Sequence, residues 1–357
     1  MTSAKENNKS LRKLGGYLLP VIVTLLFLYF AFRGIDLKKS FGLIIQTSLG
    51  WLVVYLFVFF ISHYLRAVRW KVMIKSVKSD ASTFNLFGAT MVGYGVNCVI
   101  PRLGELYRGL FVGKWESISR TTMLGTVVVE RVIDVASFAI AALISVYVYS
   151  GNLFIDVPWL KLSLIIGFAL ILIMIILLIL LVEFEQKFTT VIVGFVGKVS
   201  PKFSEKLSGV FSTLIEGFST IQSGANIFNF ILITISIFAL YALNSYVGFY
   251  MMGMDKLGPV SFSMAWIFMS ITAFSVLIPT PGGTGSYHII SIFVLSQIYS
   301  FNYEVSAAYA ILSHFIQYVV FIGSTVVLIY IINKKRESEG GSKENFLSVF
   351  NTKLGDK

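Results

Sequence analysis

Four short stretches concentrate the residues able to do chemistry. Asn97-Cys98-Val99-Ile100-Pro101 leads into Arg102, Glu105 and Arg108. Glu130, Arg131 and Asp134 interrupt an apolar run. Pro279-Thr280-Pro281-Gly282-Gly283-Thr284-Gly285 is followed by His288, and His63, Arg66 and Arg69 sit at the end of another apolar run. Pro101 suits the first turn of a helix. Arg102, Glu105 and Arg108 then follow at i, i+3 and i+6, roughly along one face. Arginines beside a helix N-terminus suit an anion, and a lipid phosphate is the obvious candidate. Glu105 either balances an arginine, meets an ammonium group or carries a proton.

Glu130 and Asp134 lie four apart on one helical face, and Arg131 can reach Asp134 at i+3. Two readings stand: a buried ion pair that fixes packing, or a polar path for a headgroup. Pro279, Gly282, Gly283 and Gly285 permit a tight turn with exposed backbone N–H groups. The alternative for the glycines is close helix packing. His288, one turn into the helix that starts at Ser286, either bonds a phosphate or is a satisfied core histidine. His63, Arg66 and Arg69 form a stripe read as interfacial anchors, with a headgroup entrance as the alternative. His314 and Gln317 read as ordinary interhelical hydrogen-bond partners. The three histidines, at 63, 288 and 314, share no metal-ligand spacing, and the lone Cys98 excludes an internal disulfide, so neither metal nor cofactor is expected.

The elements that must position these residues belong to a membrane protein. The 357 residues are 56% hydrophobic and 13% charged, where soluble domains are nearer a quarter charged. The net charge of +11 comes from basic residues beside apolar stretches, which points to membrane anchoring and not to nucleic acid. Six stretches, near 14–33, 47–66, 122–149, 160–183, 227–252 and 305–332, have the roughly 20 apolar residues that cross a hydrocarbon core. Lys5, Lys9, Arg12 and Lys13, the Arg66–Lys78 cluster, Lys114 and Arg120, and Lys334–Arg336 place both termini in the cytoplasm. Arg33, Lys38 and Lys39 are outnumbered.

This charge accounting turns the two Ile-Pro-x-x-Gly regions, 84–113 and 258–300, into hairpins that return to their own side of the membrane. Irregular backbone at that depth must be buried in protein or line a wet cavity. The expected fold is therefore all-α: about six transmembrane helices plus two oppositely entering re-entrant hairpins. Span, hairpin and span occur twice with inverted topology, the pattern of transporters whose site lies at the repeat interface. Residues 1–13 form a cytoplasmic tail and 14–332 the membrane domain. Within that domain, 184–226 carries Phe195, Val199, Phe203 and Leu207 at helical spacing with lysines between them. That stretch reads either as interfacial helices on the cytoplasmic leaflet or as a helix pair packed on the bundle. The polar, Gly/Ser-rich segment 333–357 is expected to be disordered.

Arg66-Ala67-Val68-Arg69-Trp70, the Asn97–Arg108 run, Glu130-Arg131-Val132-Ile133-Asp134 and Pro279–Gly285 occur in that order. Together they resemble the transmembrane region of lysylphosphatidylglycerol synthases, a flippase-like membrane domain, from about residue 14 to 332. The resemblance implies a multi-pass protein of a prokaryotic inner membrane that moves lipids or lipid-linked molecules between leaflets. The chain is expected to be a stand-alone member without the aminoacyltransferase domain, so lysyl transfer is not carried over. The family usually has an acidic residue where this chain has His288, which argues against a cationic-headgroup role there. No Gly-x4-Gly-Lys-Ser/Thr motif is present, so transport would be passive or ion-coupled. The alternatives are a membrane-embedded transferase or lipid phosphatase using Glu105 and Asp134, or a non-transporting partner of a glycosyltransferase or lipid synthase.

Overall fold

Each apolar stretch forms a helix, because a backbone away from water must satisfy its own hydrogen bonds. A computed structural model describes residues 20–183 and 227–350, together with positions 201, 204 and 208. Helix α1 (Pro20–Phe32) is bent by 87° from α2 (Leu37–Ile45). The long helices are α3 (Leu49–Met73), α6 (Arg120–Val148), α8 (Pro158–Glu183), α9 (Ile227–Met251) and α12 (Tyr303–Ser338). Between α3 and α6 lie α4 (Thr83–Val99) and α5 (Gly104–Trp115), and the short α7 (Leu153–Asp156) precedes α8. Between α9 and α12 lie α10 (Phe262–Thr272) and α11 (Ser286–Phe293). The order of long helix, broken helix pair and long helix therefore occurs twice.

No strand is found among the described residues. Three helices there, α3, α9 and α12, are long and apolar enough to cross a membrane, or four spans if the bent α1–α2 pair is counted as one. Helix α6 has 29 residues but carries Glu130, Arg131 and Asp134. The interfacial helices expected within 184–226 lie outside the described residues apart from three isolated positions, as do the first nineteen residues and the last seven.

The chain divides into two compact units. Unit 1 comprises residues 1–59, 94–104 and 241–324; unit 2 comprises 60–93, 105–240 and 325–357. In unit 1, Tyr55, Val247, Met251 and Ile316 form one buried cluster, and Ala31, Ile292, Ala307 and Ala310 another. The rings of Phe249, Phe268 and Tyr309 pack with centroids 5.2–5.6 Å apart. Ser261 starts α10 by accepting a hydrogen bond from the Met264 N–H at 3.1 Å. A Cβ on Gly258 would lie 3.6 Å from the Phe301 ring, so the broken pair α10–α11 returns close to its own start.

The equivalent closure in unit 2 is made by Glu116, which is buried. Its carboxylate accepts from Ser82 N–H at 3.2 Å and from Asn85 Nδ2, while Lys78 Nζ donates to its carbonyl at 2.7 Å. One acidic side chain after α5 thus satisfies donors at the start of α4. The two helices leave and return at the same place.

The segment after Asn333, where composition suggested disorder, is ordered as far as Phe350. Helix α12 continues to Ser338, and Asn333 pairs through its side chain with both backbone groups of Glu344. Phe346 and Phe350 each meet the ring of Tyr107 edge-on at 5.4 Å. The fully buried Val349 and these two ring contacts outweigh the polarity of the intervening residues.

Candidate functional site

In unit 2, α3 presents Arg66 and Arg69 three residues apart, and α6 presents Glu130 and Asp134 four apart, so each helix offers both groups on one face. Arg66 Nη2 donates to Glu130 Oε1 and Asp134 Oδ2, each at 2.6 Å. Arg69 Nη2 donates to Glu130 Oε1 at 3.0 Å and to Asp134 Oδ1 at 2.5 Å. Helix α5 adds Arg108, whose Nη2 donates to Glu130 Oε2. All five side chains are at most 5% exposed. The Arg108 guanidinium lies 4.2 Å from the Trp70 ring centroid, and Trp70 is itself held by its Nε1–H to Thr126 Oγ1 at 2.9 Å.

The cluster has a more exposed rim. Arg131 Nη1 lies 3.6 Å from Asp134 Oδ2, the i+3 contact that the spacing predicts, and Arg131 Nε lies 3.8 Å from Glu105 Oε1. Glu105 thus faces Arg131. The anchor reading of Arg66 and Arg69 is corrected. Their heads are buried against carboxylates, because a charged partner in a low-dielectric interior outweighs the reach to water. His63 is also buried, with Nδ1 3.1 Å from Ser62 Oγ.

In unit 1 the chemistry is neutral. Pro101 does not open a helix: α5 starts at Gly104, whose N–H donates to the Asn97 side chain at 2.8 Å. Arg102 precedes it in a left-handed conformation, φ 64°, so it shares no helical face with Glu105 and Arg108. Its Nη2 donates to the Leu277 carbonyl at 3.2 Å, which joins the first break to the second. Pro279 and Gly282 are exposed, and Gly282, Gly283 and Gly285 take φ of 54°, 79° and 86°, conformations that glycine adopts without strain. Gly285 also has no room for a side chain: a Cβ there would lie 2.7 Å from the Cβ of Phe27.

His288 is buried, and its Nδ1 accepts the Gly285 N–H at 3.2 Å, capping α11. That is the satisfied alternative for this residue. Two residues of α12 organise the turn. His314 Nε2 lies 3.2 Å from the Gly282 carbonyl, and its ring centroid is 4.6 Å from that of His288. The Tyr318 hydroxyl lies 2.6 Å from the Pro281 carbonyl, 3.2 Å from the Cys98 carbonyl and 2.6 Å from Thr284 Oγ1. Its single proton serves the two carbonyls while Thr284 donates to it. One phenol on α12 therefore ties both breaks. Sequence reasoning gave His314 no special place and did not single out Tyr318; their i, i+4 spacing on one apolar helix was the available signal.

An all-helical chain with membrane-length apolar helices, a buried five-residue ion cluster and paired helix breaks is an integral membrane protein. The family model for the lysylphosphatidylglycerol synthase TM region matches residues 17–324, and the chain belongs to that family. It is also similar to the UPF0104 membrane protein MJ1595 of Methanocaldococcus jannaschii, with 29% identity over 160 residues, 43% of this chain and 47% of the relative. The chain thus matches about half the length of that curated relative. No solved structure matches.

Proposed function

We propose that this protein carries a phosphate-bearing lipid headgroup between the leaflets of a prokaryotic inner membrane. In this reading it has six spans and two re-entrant hairpins of opposite entry, with both termini cytoplasmic. The observation that carries the proposal is the meeting of the two breaks in unit 1, where Tyr318 contacts the Cys98 and Pro281 carbonyls and Arg102 reaches the Leu277 carbonyl. Non-helical backbone is tolerated at membrane depth only inside protein or beside a wet cavity, and paired breaks are a mark of substrate sites in transporters. Membership of the family and the self-closing α4–α5 pair support the same reading.

In this proposal Arg102, exposed at the first break, meets the phosphate, and the glycine turn with the start of α11 supplies N–H donors. In unit 2, Glu130, Asp134, Arg66, Arg69 and Arg108 hold α3, α5 and α6 together, with Glu105 and Arg131 at the more exposed edge of that cluster. Pro279, Gly282, Gly283 and Gly285 give the second break its irregular path, and His288 keeps α11 capped.

The test is reconstitution in liposomes with fluorescent phosphatidylglycerol, phosphatidylcholine or polyprenyl phosphate, read by leaflet-selective quenching. Wild-type protein is expected to exceed empty vesicles for at least one lipid, with Arg102→Ala and Tyr318→Phe slower. Wild-type protein at the empty-vesicle rate for all three overturns the proposal. The inverted topology has its own check. Ser117→Cys and Ser300→Cys should label from opposite sides of the membrane, and labelling from one side refutes it.

A further inference from the structure

The interior of unit 2 holds three guanidinium groups, Arg66, Arg69 and Arg108, against two carboxylates, Glu130 and Asp134. The rim pair Arg131 and Glu105 adds one charge of each sign. Among the described residues the cluster therefore counts one more guanidinium than carboxylate, whether or not the rim is included. A buried charge without a partner is costly, and a low-dielectric interior raises that cost.

The excess has a location. Arg69 and Arg108 each use only Nη2 for the carboxylates. Their Nε and Nη1 atoms, four donor positions in all, are buried with no hydrogen-bond partner among the described residues. Buried donors on a charged group are among the most expensive to leave unmet. Aromatic rings already lie near both groups, Trp70 at 4.2 Å from Arg108 and Phe230 at 5.9 Å from Arg69. A ring offers no oxygen to the in-plane N–H groups, so the remaining demand is for an acceptor.

We propose that the unit 2 cluster is an oxyanion site that takes one phosphate group through Arg69 and Arg108. A phosphodiester brings one negative charge, matching the excess, and several acceptor oxygens for donors that lie on two guanidinium groups. Glu130 and Asp134 act as the fixed counter-charges that hold the two arginines in place. The more exposed edge of the cluster is Arg131 and Glu105, whose side chains are 35% and 29% exposed, and Arg131 Nη1 lies 3.6 Å from Asp134 of the buried core. The phosphate belongs either to a lipid headgroup or to a free anion. Binding here does not depend on transport, and it is measured without a membrane.

The experiment follows the thermal midpoint of the full chain in detergent during titration with inorganic phosphate or dihexanoyl-phosphatidylglycerol, at ionic strength held constant with chloride. A saturable rise with either ligand is expected. A rise with the lipid alone assigns the site to a headgroup, and a rise with phosphate alone assigns it to the free anion. Asp134→Asn adds to the positive excess and is expected to tighten binding on the order of tenfold, whereas Arg69→Gln removes the excess and weakens it on the same order. A purely structural cluster would lose stability in both variants with no response to phosphate. A wild-type midpoint indifferent to both ligands overturns the proposal even if neither variant folds. So does an equal response to chloride alone, or a change of the same sign in both variants.

Discussion

The two units satisfy buried polar atoms in opposite ways. Unit 2 does it with charge: four arginines and three acids on α3, α5 and α6 share seven ion-pair contacts. Unit 1 does it without ions apart from Arg102, by aiming the hydroxyl of Tyr318 and the ring of His314 at carbonyls freed by the helix breaks. The difference teaches where each strategy fits. A buried side-chain charge needs an opposite charge beside it, and in unit 2 the carboxylates that supply it come from a helix other than those of the three arginines. Freed backbone groups are weak acceptors, and a neutral donor on a neighbouring helix meets them without burying a charge.

If that contrast is right, breaking it in unit 2 costs most. Glu130→Ala takes a carboxylate from three arginines at once, leaves Arg108 without one, and is expected to destabilise the chain by about 3–5 kcal/mol, read from thermal or denaturant unfolding in detergent. A loss under about 1 kcal/mol would mean the cluster is not the core of unit 2. In unit 1 the largest effect comes from shape. Gly285→Ala forces a left-handed residue and a Cβ into contact with Phe27 and Thr24, at about 2–4 kcal/mol in the same measurement. Tyr318→Phe sharpens the comparison, because it removes one neutral hydroxyl, the donor to two carbonyls and the acceptor for Thr284, without touching a charge. It should cost about 1–2 kcal/mol and speed hydrogen exchange of the amides from Gly282 to Ser286. Glu105→Gln acts on the half-exposed rim and should change stability by less than about 1 kcal/mol. An effect as large as that of Glu130→Ala would place Glu105 in the core.

The all-helical fold was legible because its signal is the length of apolar runs. Each of the six long apolar stretches holds a helix, and the two Pro-Gly regions hold the breaks. Individual charges were legible as well, since Glu130 and Asp134 cannot sit in such a run unpaired. Their partners were not. Arg66 and Arg69 read as anchors because a sequence shows that a basic residue ends an apolar run and does not show which helix comes to meet it. Pro101 misled for a related reason. Its fixed φ suits a helix start, but the side chain of Asn97 caps Gly104 and moves the start by three residues. Tyr318 was invisible because a lone tyrosine in an apolar helix is ordinary, and only the fold brings Cys98 and Pro281 to it. The ordered segment beyond Asn333 escaped because its composition is polar while its anchors are two phenylalanines.

That last segment has a consequence for the order of folding. Arg120 on α6 donates to the Phe350 carbonyl across 230 residues of sequence, and the rings of Phe346 and Phe350 pack edge-on against Tyr107. A contact of such sequence separation costs loop-closure entropy before its packing rewards it. Helices α5 and α6 therefore meet first, and the segment carrying Phe346 and Phe350 docks on them late, as a latch that opens before the rest of unit 2 unfolds.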